Sequence, residues 1–166
     1  GWFRVDNGFV NFDFNGLCSN ENGWWYLTGG KIDFNYNGLA SNEHGWWQIH
    51  GGKVDFDYNG LTANENGWWR LAGGKIDFDY SGFASNENGN WRIIGGKIDF
   101  NRTGVDFDGA SWWRVESGKV NTNYNGIAQN EYGWWYIRHG KVVFDFTGWI
   151  KVSSGRYYVH NGCVDR

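Results

Sequence analysis

The chain has 166 residues, with no proline or methionine but 27 glycines and 13 tryptophans, and a net charge of −3. So mild a charge argues against nucleic acid or an acidic membrane surface as a partner, and no apolar run approaches the roughly 18 residues that span a bilayer. The chain opens inside a repeat without a starting Met or a signal peptide, which reads as an excised module of something longer.

Glycine recurs at Gly1, Gly23, Gly45, Gly67, Gly89, Gly133 and Gly155, always 22 residues or a multiple of 22 apart. Two places further on stand Phe3, Trp25, Trp47, Trp69, Trp91, Trp113, Trp135 and Tyr157. A second glycine column runs from Gly8 to Gly162 without exception. A fixed period of this length is the signature of a repeat array. Residues 1–166 are therefore expected to form a single array of about eight small units, the first and last serving as caps or cut from a longer array.

Within one unit the turn sets the register. Asn7-Gly8, Gly29-Gly30, Gly51-Gly52, Gly73-Gly74, Gly95-Gly96, Ser117-Gly118, His139-Gly140 and Asn161-Gly162 occupy one place. Asn-Gly and Gly-Gly suit a two-residue hairpin whose central residues need positive φ. Such a turn opposes Leu27 to Ile32, Tyr26 to Asp33, Trp25 to Phe34 and Trp24 to Asn35, and opposed residues share a face. The pairs Trp25/Phe34 and Leu27/Ile32, and their equivalents, are read as the inward face. The other face carries Tyr26/Asp33, Gln48/Asp55, Arg70/Asp77 and Arg92/Asp99, with two ion pairs expected.

Residues 36–45 read as a loop rich in turn residues. The Leu39 column (Leu17, Leu61, Phe83, Val105, Ile127, Trp149) is read as a plug between consecutive hairpins. An isolated hairpin is marginal in water, so the fold expected is all-β, a solenoid or superhelix of stacked two-stranded hairpins. The fifth junction departs from the pattern, with Asn90 for the first Trp, Arg102 for an aromatic, and Val105-Asp106-Phe107-Asp108-Gly109 in the loop. Cys18 and Cys163 fall in the first and last units. An elongated array predicts that they lie beyond the roughly 7 Å reach of a disulfide.

The leading tryptophans, Trp2, Trp24, Trp46, Trp68, Trp112 and Trp134, fall on the polar face of this register. One reading packs them under the next loop or on a lysine stem. The other makes them stacking platforms, because Trp24 then faces Asn35, Trp46 faces Asp57, Trp68 faces Asp79, Trp112 faces Asn123 and Trp134 faces Asp145. A ring beside an oxygen acceptor suits a sugar or a quaternary ammonium. Asp55 to Gly60 resembles the opening of a calcium loop, but the place of the bidentate Glu is taken by Asn66. The Asn20-Glu21 column reads as a loop-folding device, and the histidines as solvated surface. No nucleophile set, acid/base pair or metal cluster emerges, so neither catalysis nor a cofactor is expected.

The Gly-x-Trp columns and the final unit resemble the bacterial cell-wall-binding repeats, the choline-binding and glucan-binding group of surface proteins. That final unit runs Thr147-Gly148-Trp149, Gly155-Arg156-Tyr157-Tyr158 and Asn161-Gly162. The resemblance implies a superhelix of hairpins on a secreted or bacterial surface protein. It also implies attachment to cell-wall or dietary polysaccharide, or to choline-bearing teichoic acid, with Trp149 and Tyr157 among the contacts. In choline binders the Thr-Gly-Trp column supplies a cage wall. Here it is aromatic only at Phe83 and Trp149, which favours a glycan over choline. The competing readings are a choline-binding module and a structural stalk with no small ligand.

Overall fold

The computed structural model describes all 166 residues, every regular element being a strand. They form two compact units, Gly1–Tyr80 with Gly95–Lys97 and Ser81–Ile94 with Ile98–Arg166. Each unit is a stack of antiparallel hairpins repeated every 22 residues.

One repeat is a three-strand meander. Gly16–Asn20 pairs with Gly23–Thr28, and that strand pairs in turn with the short Lys31–Ile32. The register at the second turn is the expected one, Leu27 opposite Ile32 and Thr28 opposite Lys31. Gly29 and Gly30 have φ of 55° and 72°. Asn7, Ser117, His139 and Asn161 adopt positive φ at the same first turn position.

The second turn glycine tolerates no exception for a further reason. A Cβ on Gly96 would stand 2.5 Å from the carbonyl oxygen of Asp77, and one on Gly118 equally close to that of Asp99. Each turn is laid against the backbone of the preceding repeat. Gly8, whose turn has no such backbone against it, would meet nothing within 4 Å.

Two sequence expectations are corrected here. The chain leaves the ladder after Ile32, because the Asp33 carboxylate accepts the backbone N–H of Asn35 at 3.0 Å and closes a turn. Asp55 with Asp57 and Asp99 with Asn101 repeat that turn. Phe34 is therefore not inward but 51% exposed, and Phe56, Phe78, Phe100 and Phe144 are exposed as well. The supposed loop after Asn37 instead contains the five-residue strand Gly38–Asn42, which forms the longer hairpin with Gly45–His50. Its place in the ladder depends on the partner strand, which outweighs its loop-like composition.

The core comes from the second pair back from the Gly-Gly turn, Leu27 with Ile32 and its equivalents, and from the plug column. Ile49, Leu71, Ile93, Val115, Ile137 and Val159 have no exposed surface. Each contributes roughly 2 kcal/mol by burial. Leu39 packs with Leu71 and Ile76, as a plug between hairpins should. Neighbouring repeats are also joined by backbone: Trp25 pairs with Lys53, and Tyr26 N–H donates to the Gly52 carbonyl at 2.8 Å.

Candidate functional site

With the core filled by aliphatic side chains, the rings are left at the surface. Every trailing Trp is held by its indole N–H, which Trp25 donates to Asn20 Oδ1 at 3.1 Å and Trp47 to Asn42 Oδ1 at 3.0 Å. The same oxygen accepts a turn N–H, from Asn22 and His44 respectively. The Asn of the Asn-Glu column is thus a folding device, as expected. In the second unit Asp108 takes the Asn place and binds Trp113 Nε1 at 2.7 Å. Hydrogen bonds from the Ala110 and Ser111 amides and the indole outweigh the opposing desolvation and hold its carboxyl below the usual range.

The leading tryptophans are half-buried. Trp24, Trp46, Trp112 and Trp134 each pack one side on a hairpin core, those of Ile49, Leu71, Ile137 and Val159 respectively. The division into outward leading and hidden trailing rings is therefore corrected: from Trp24 onward the tryptophans of both columns are intermediate in exposure, Trp68 included, and only Trp2 and Phe3 of the first repeat are exposed. Trp24 lies opposite Ser19 in the ladder, so its pairing with Asn35 does not form. Asn35, Asp57, Asp79, Asn123 and Asp145 all sit exposed on the turn that follows the short strand. Trp149 is 61% exposed beneath the Arg156 guanidinium, and Tyr157 lies partly buried on the core of Val159.

What the leading ring does meet is the next repeat. Trp24, Trp47 and Phe56 stand with ring centroids 5.3, 6.0 and 5.4 Å apart and interplanar angles of 61°, 81° and 75°. Those are the three walls of a box corner. The set recurs as Trp112, Trp135 and Phe144 with centroids 5.8, 6.5 and 5.4 Å apart, joined by Tyr132 at 5.6 Å from Trp112. The sequence reading missed this third wall because it sought it in the Leu39 column. The repeated Phe34 column was the signal. In the last repeat that column is Arg166, whose guanidinium carbon lies 3.8 Å from the centre of Trp134 and 5.4 Å from that of Tyr157.

The leading ring also borders a groove. In the first unit a groove of about 670 Å³ is lined by Trp24, Arg4, Cys18, Asn42, Glu43 and His44 among others. In the second a groove of about 960 Å³ is lined by Trp112, Arg92, Asp106, Asn130, Glu131 and Tyr132. These residues correspond one to one, 88 residues apart, which is four periods. The expected Arg70–Asp77 ion pair forms at 2.7 Å. Arg92 instead turns from Asp99 to Asp106, with Nε 3.5 Å from the carboxylate. Arg102 donates twice to the same carboxylate, from Nε at 2.8 Å and from a terminal guanidinium nitrogen. Cys18 and Cys163 are free thiols, as expected.

Stacked hairpins that display their rings while burying aliphatic pairs define a repeat-built binding module. The choline-binding repeat matches this chain seven times, over residues 13–33, 35–55, 57–77, 79–99, 103–121, 123–143 and 145–165, and the chain belongs to that family. Solved structures with a similar fold include choline-binding protein F of Streptococcus pneumoniae, 19% identical with a TM-score of 0.37. The alignment covers 98% of this chain and 55% of that one, so this chain spans little more than half its length. The same protein in the presence of a tetrasaccharide-pentapeptide peptidoglycan analogue is 18% identical over the same shares, TM-score 0.38. An alternansucrase in complex with isomaltononaose is 14% identical, TM-score 0.43, over the whole of this chain and 13% of the enzyme. A comparison with curated protein sequences gives no match. No helix is long and apolar enough to cross a membrane.

Proposed function

We propose that this chain is a non-catalytic module that attaches a secreted or surface bacterial protein to cell-wall glycan. Sugar rings stack on the leading tryptophans, and their hydroxyls bond to the polar groove walls. The observation that supports this most directly is the recurrence of one groove, a Trp face beside Arg, Asn and Glu, four repeats apart. An aromatic face with a few convergent polar groups is the usual make-up of a sugar site. Trp46, Trp68 and Trp134 are assigned the same stacking role, and repetition multiplies the weak binding of each site. The hydrogen bonds first sought at Asn35 and its column are assigned to Arg4, Asn42 and Glu43 in one groove and to Arg92, Asn130 and Glu131 in the other.

A second reading rests on the ring corners. Three rings inclined to one another by 39° to 81° suit a choline headgroup through cation–π attraction, and the guanidinium seated on Trp134 and Tyr157 occupies the place of the third wall. Choline-bearing teichoic acid would then be a partner.

Adsorption to purified cell walls and to insoluble glycans, followed for the native chain and the double variant Trp24→Ala/Trp112→Ala, tests the proposal. Loss of adsorption with the far-ultraviolet spectrum retained supports it. Adsorption unchanged by the two substitutions, or absent from the native chain, favours the spacer reading. Elution by free choline but not by soluble oligosaccharide moves the ligand to the corners.

A further inference from the structure

We infer that Asn7, Asn22, Asn66 and Asn88 are sites of self-modification, where asparagine is converted to aspartate and isoaspartate, while the fold holds the other Asn-Gly pairs inert. At Asn22, Asn66 and Asn88 the product loosens the tryptophan that the same turn anchors.

The chemistry needs only the chain and water. The backbone nitrogen of the glycine attacks the asparagine Cγ, so that an N–Cγ bond forms, the Cγ–Nδ2 bond breaks, and ammonia leaves with the backbone amide proton. Water then opens the cyclic imide at one carbonyl or the other, which gives aspartate or isoaspartate. Asparagine is among the thermolabile residues, and a following glycine, with no Cβ, lets its nitrogen approach most closely. Two things stop the reaction: a side-chain amide pinned away from that nitrogen, or a nitrogen tied up in a hydrogen bond.

One column of Asn-Gly pairs is pinned at both ends of the side chain. Asn37 Nδ2 donates to the Asn35 carbonyl at 3.0 Å, and its Oδ1 accepts the Gly51 amide of the following turn at 2.9 Å. Asn15, Asn59 and Asn125 are held in the same way, every distance lying within 3.2 Å. Asn161 touches Thr147 Oγ1 at 3.4 Å and His160 Nε2 at 3.3 Å, and the Gly162 amide donates to the Phe146 carbonyl at 3.0 Å.

Asn22, Asn66 and Asn88 instead stand exposed at the tip of the longer hairpin. Only their backbone N–H is engaged, donating at 2.9 Å to the Oδ1 of Asn20, Asn64 and Asn86. Their glycines form the last pair of the ladder, opposite those same residues, and a terminal pair opens first. Asn7 is exposed too, on a turn against which nothing packs: a Cβ on Gly8 would meet nothing within 4 Å.

The Oδ1 of Asn20, Asn64 and Asn86 also accepts the indole N–H of Trp25, Trp69 and Trp91. Isoaspartate routes the main chain through the side-chain carbon and lengthens the turn, which pulls the turn N–H off the oxygen that anchors the ring. The turns beside the two grooves escape this, because His44 and Tyr132 stand where the others carry Asn. Trp47 on Asn42 and Trp135 on Asn130 therefore keep their anchors.

The native chain is aged for weeks in mildly alkaline buffer beside a sample unfolded in guanidinium chloride, and each Asn-Gly pair is followed by tandem mass spectrometry of its peptide. In the native chain Asn7, Asn22, Asn66 and Asn88 should react at least several-fold faster than Asn15, Asn37, Asn59, Asn125 and Asn161. Unfolding should erase the difference. Equal rates in the native chain, no reaction at the exposed sites, or the same ranking in the unfolded sample overturns the inference. In the aged native chain, solvent exchange of the indole N–H groups is read by nuclear magnetic resonance. Exchange should quicken at Trp25, Trp69 and Trp91 in proportion to the modified fraction and stay unchanged at Trp47 and Trp135. Modified turns with unchanged exchange at Trp25, Trp69 and Trp91 overturn the loosening and leave the ranking of sites standing.

Discussion

The groove around Trp24 and the groove around Trp112 are built on the same positions of the repeat yet furnished differently. In the first, Arg4 lies 4.0 Å over the Phe14 ring, pairs with Asp6 at 2.9 Å and donates to the Cys18 sulfur at 3.1 Å. In the second, the Phe14 place is Arg102 and the Cys18 place is Asp106. Exchanging the ring for a guanidinium sets two like charges side by side. The junction holds because the acid arrives in the same repeat and bridges both arginines. The hairpin stack therefore tolerates either an aromatic or an ionic filling between repeats, provided each is complete.

The largest expected effect breaks the ionic filling. Asp106→Ala should cost about 2–3 kcal/mol in urea unfolding, because it strands two guanidinium groups, the upper range for buried pairs being reached only in drier sites. Cys18→Ala at the equivalent place should stay within about 0.5 kcal/mol. Adding Arg102→Tyr to Asp106→Ala restores the aromatic filling and should recover more than half of the loss; a double-mutant cycle measures the coupling. A cost no larger than that of Cys18→Ala would show that the ion cluster is not structural.

Next comes binding. Phe107 and Tyr132 stand where the first groove has Ser19 and His44, so the second groove offers more ring surface. Trp112→Ala should therefore remove a several-fold larger share of cell-wall adsorption than Trp24→Ala in binding isotherms. Equal losses would mean that the flanking rings do not touch the ligand.

The smallest effect is a pH dependence at the turn that holds the Trp113 indole. Asp108, with its carboxyl lowered by the hydrogen bonds it accepts, contributes stability above the ordinary carboxylate pKa. That contribution is lost as pH falls through the lowered value. Asn20 and Asn42 hold the equivalent rings without a charge. Acid should thus loosen the Trp113 indole first, seen as a shift of its side-chain N–H resonance, and Asp108→Asn should abolish the difference. The same acid response in Asp108→Asn would place its origin elsewhere, for instance at Glu116, whose carboxyl is lowered chiefly by Asn121 and further by Arg114.

The sequence by itself determined the 22-residue period, the turn at Gly29-Gly30 and the pairing of Leu27 with Ile32, because a two-residue turn fixes its own nearest neighbours. It also carried the invariance of the second turn glycine, although the cause, a neighbouring repeat's carbonyl, shows only in three dimensions. Tertiary structure alone decided where the short strand ends, since the Asp33 turn preserves an alternation that looks like strand. It alone made a strand of Gly38–Asn42, whose partner supplies what its composition lacks. The contacts of Trp24 with Trp47 and Phe56, the Lys-over-Trp pairs such as Lys53 on Trp25, and the choice of Asp106 by Arg92 join residues 14 to 32 positions apart. Such meetings follow from how one repeat lies on the next, and that geometry is set by packing between hairpins rather than by the pattern within one.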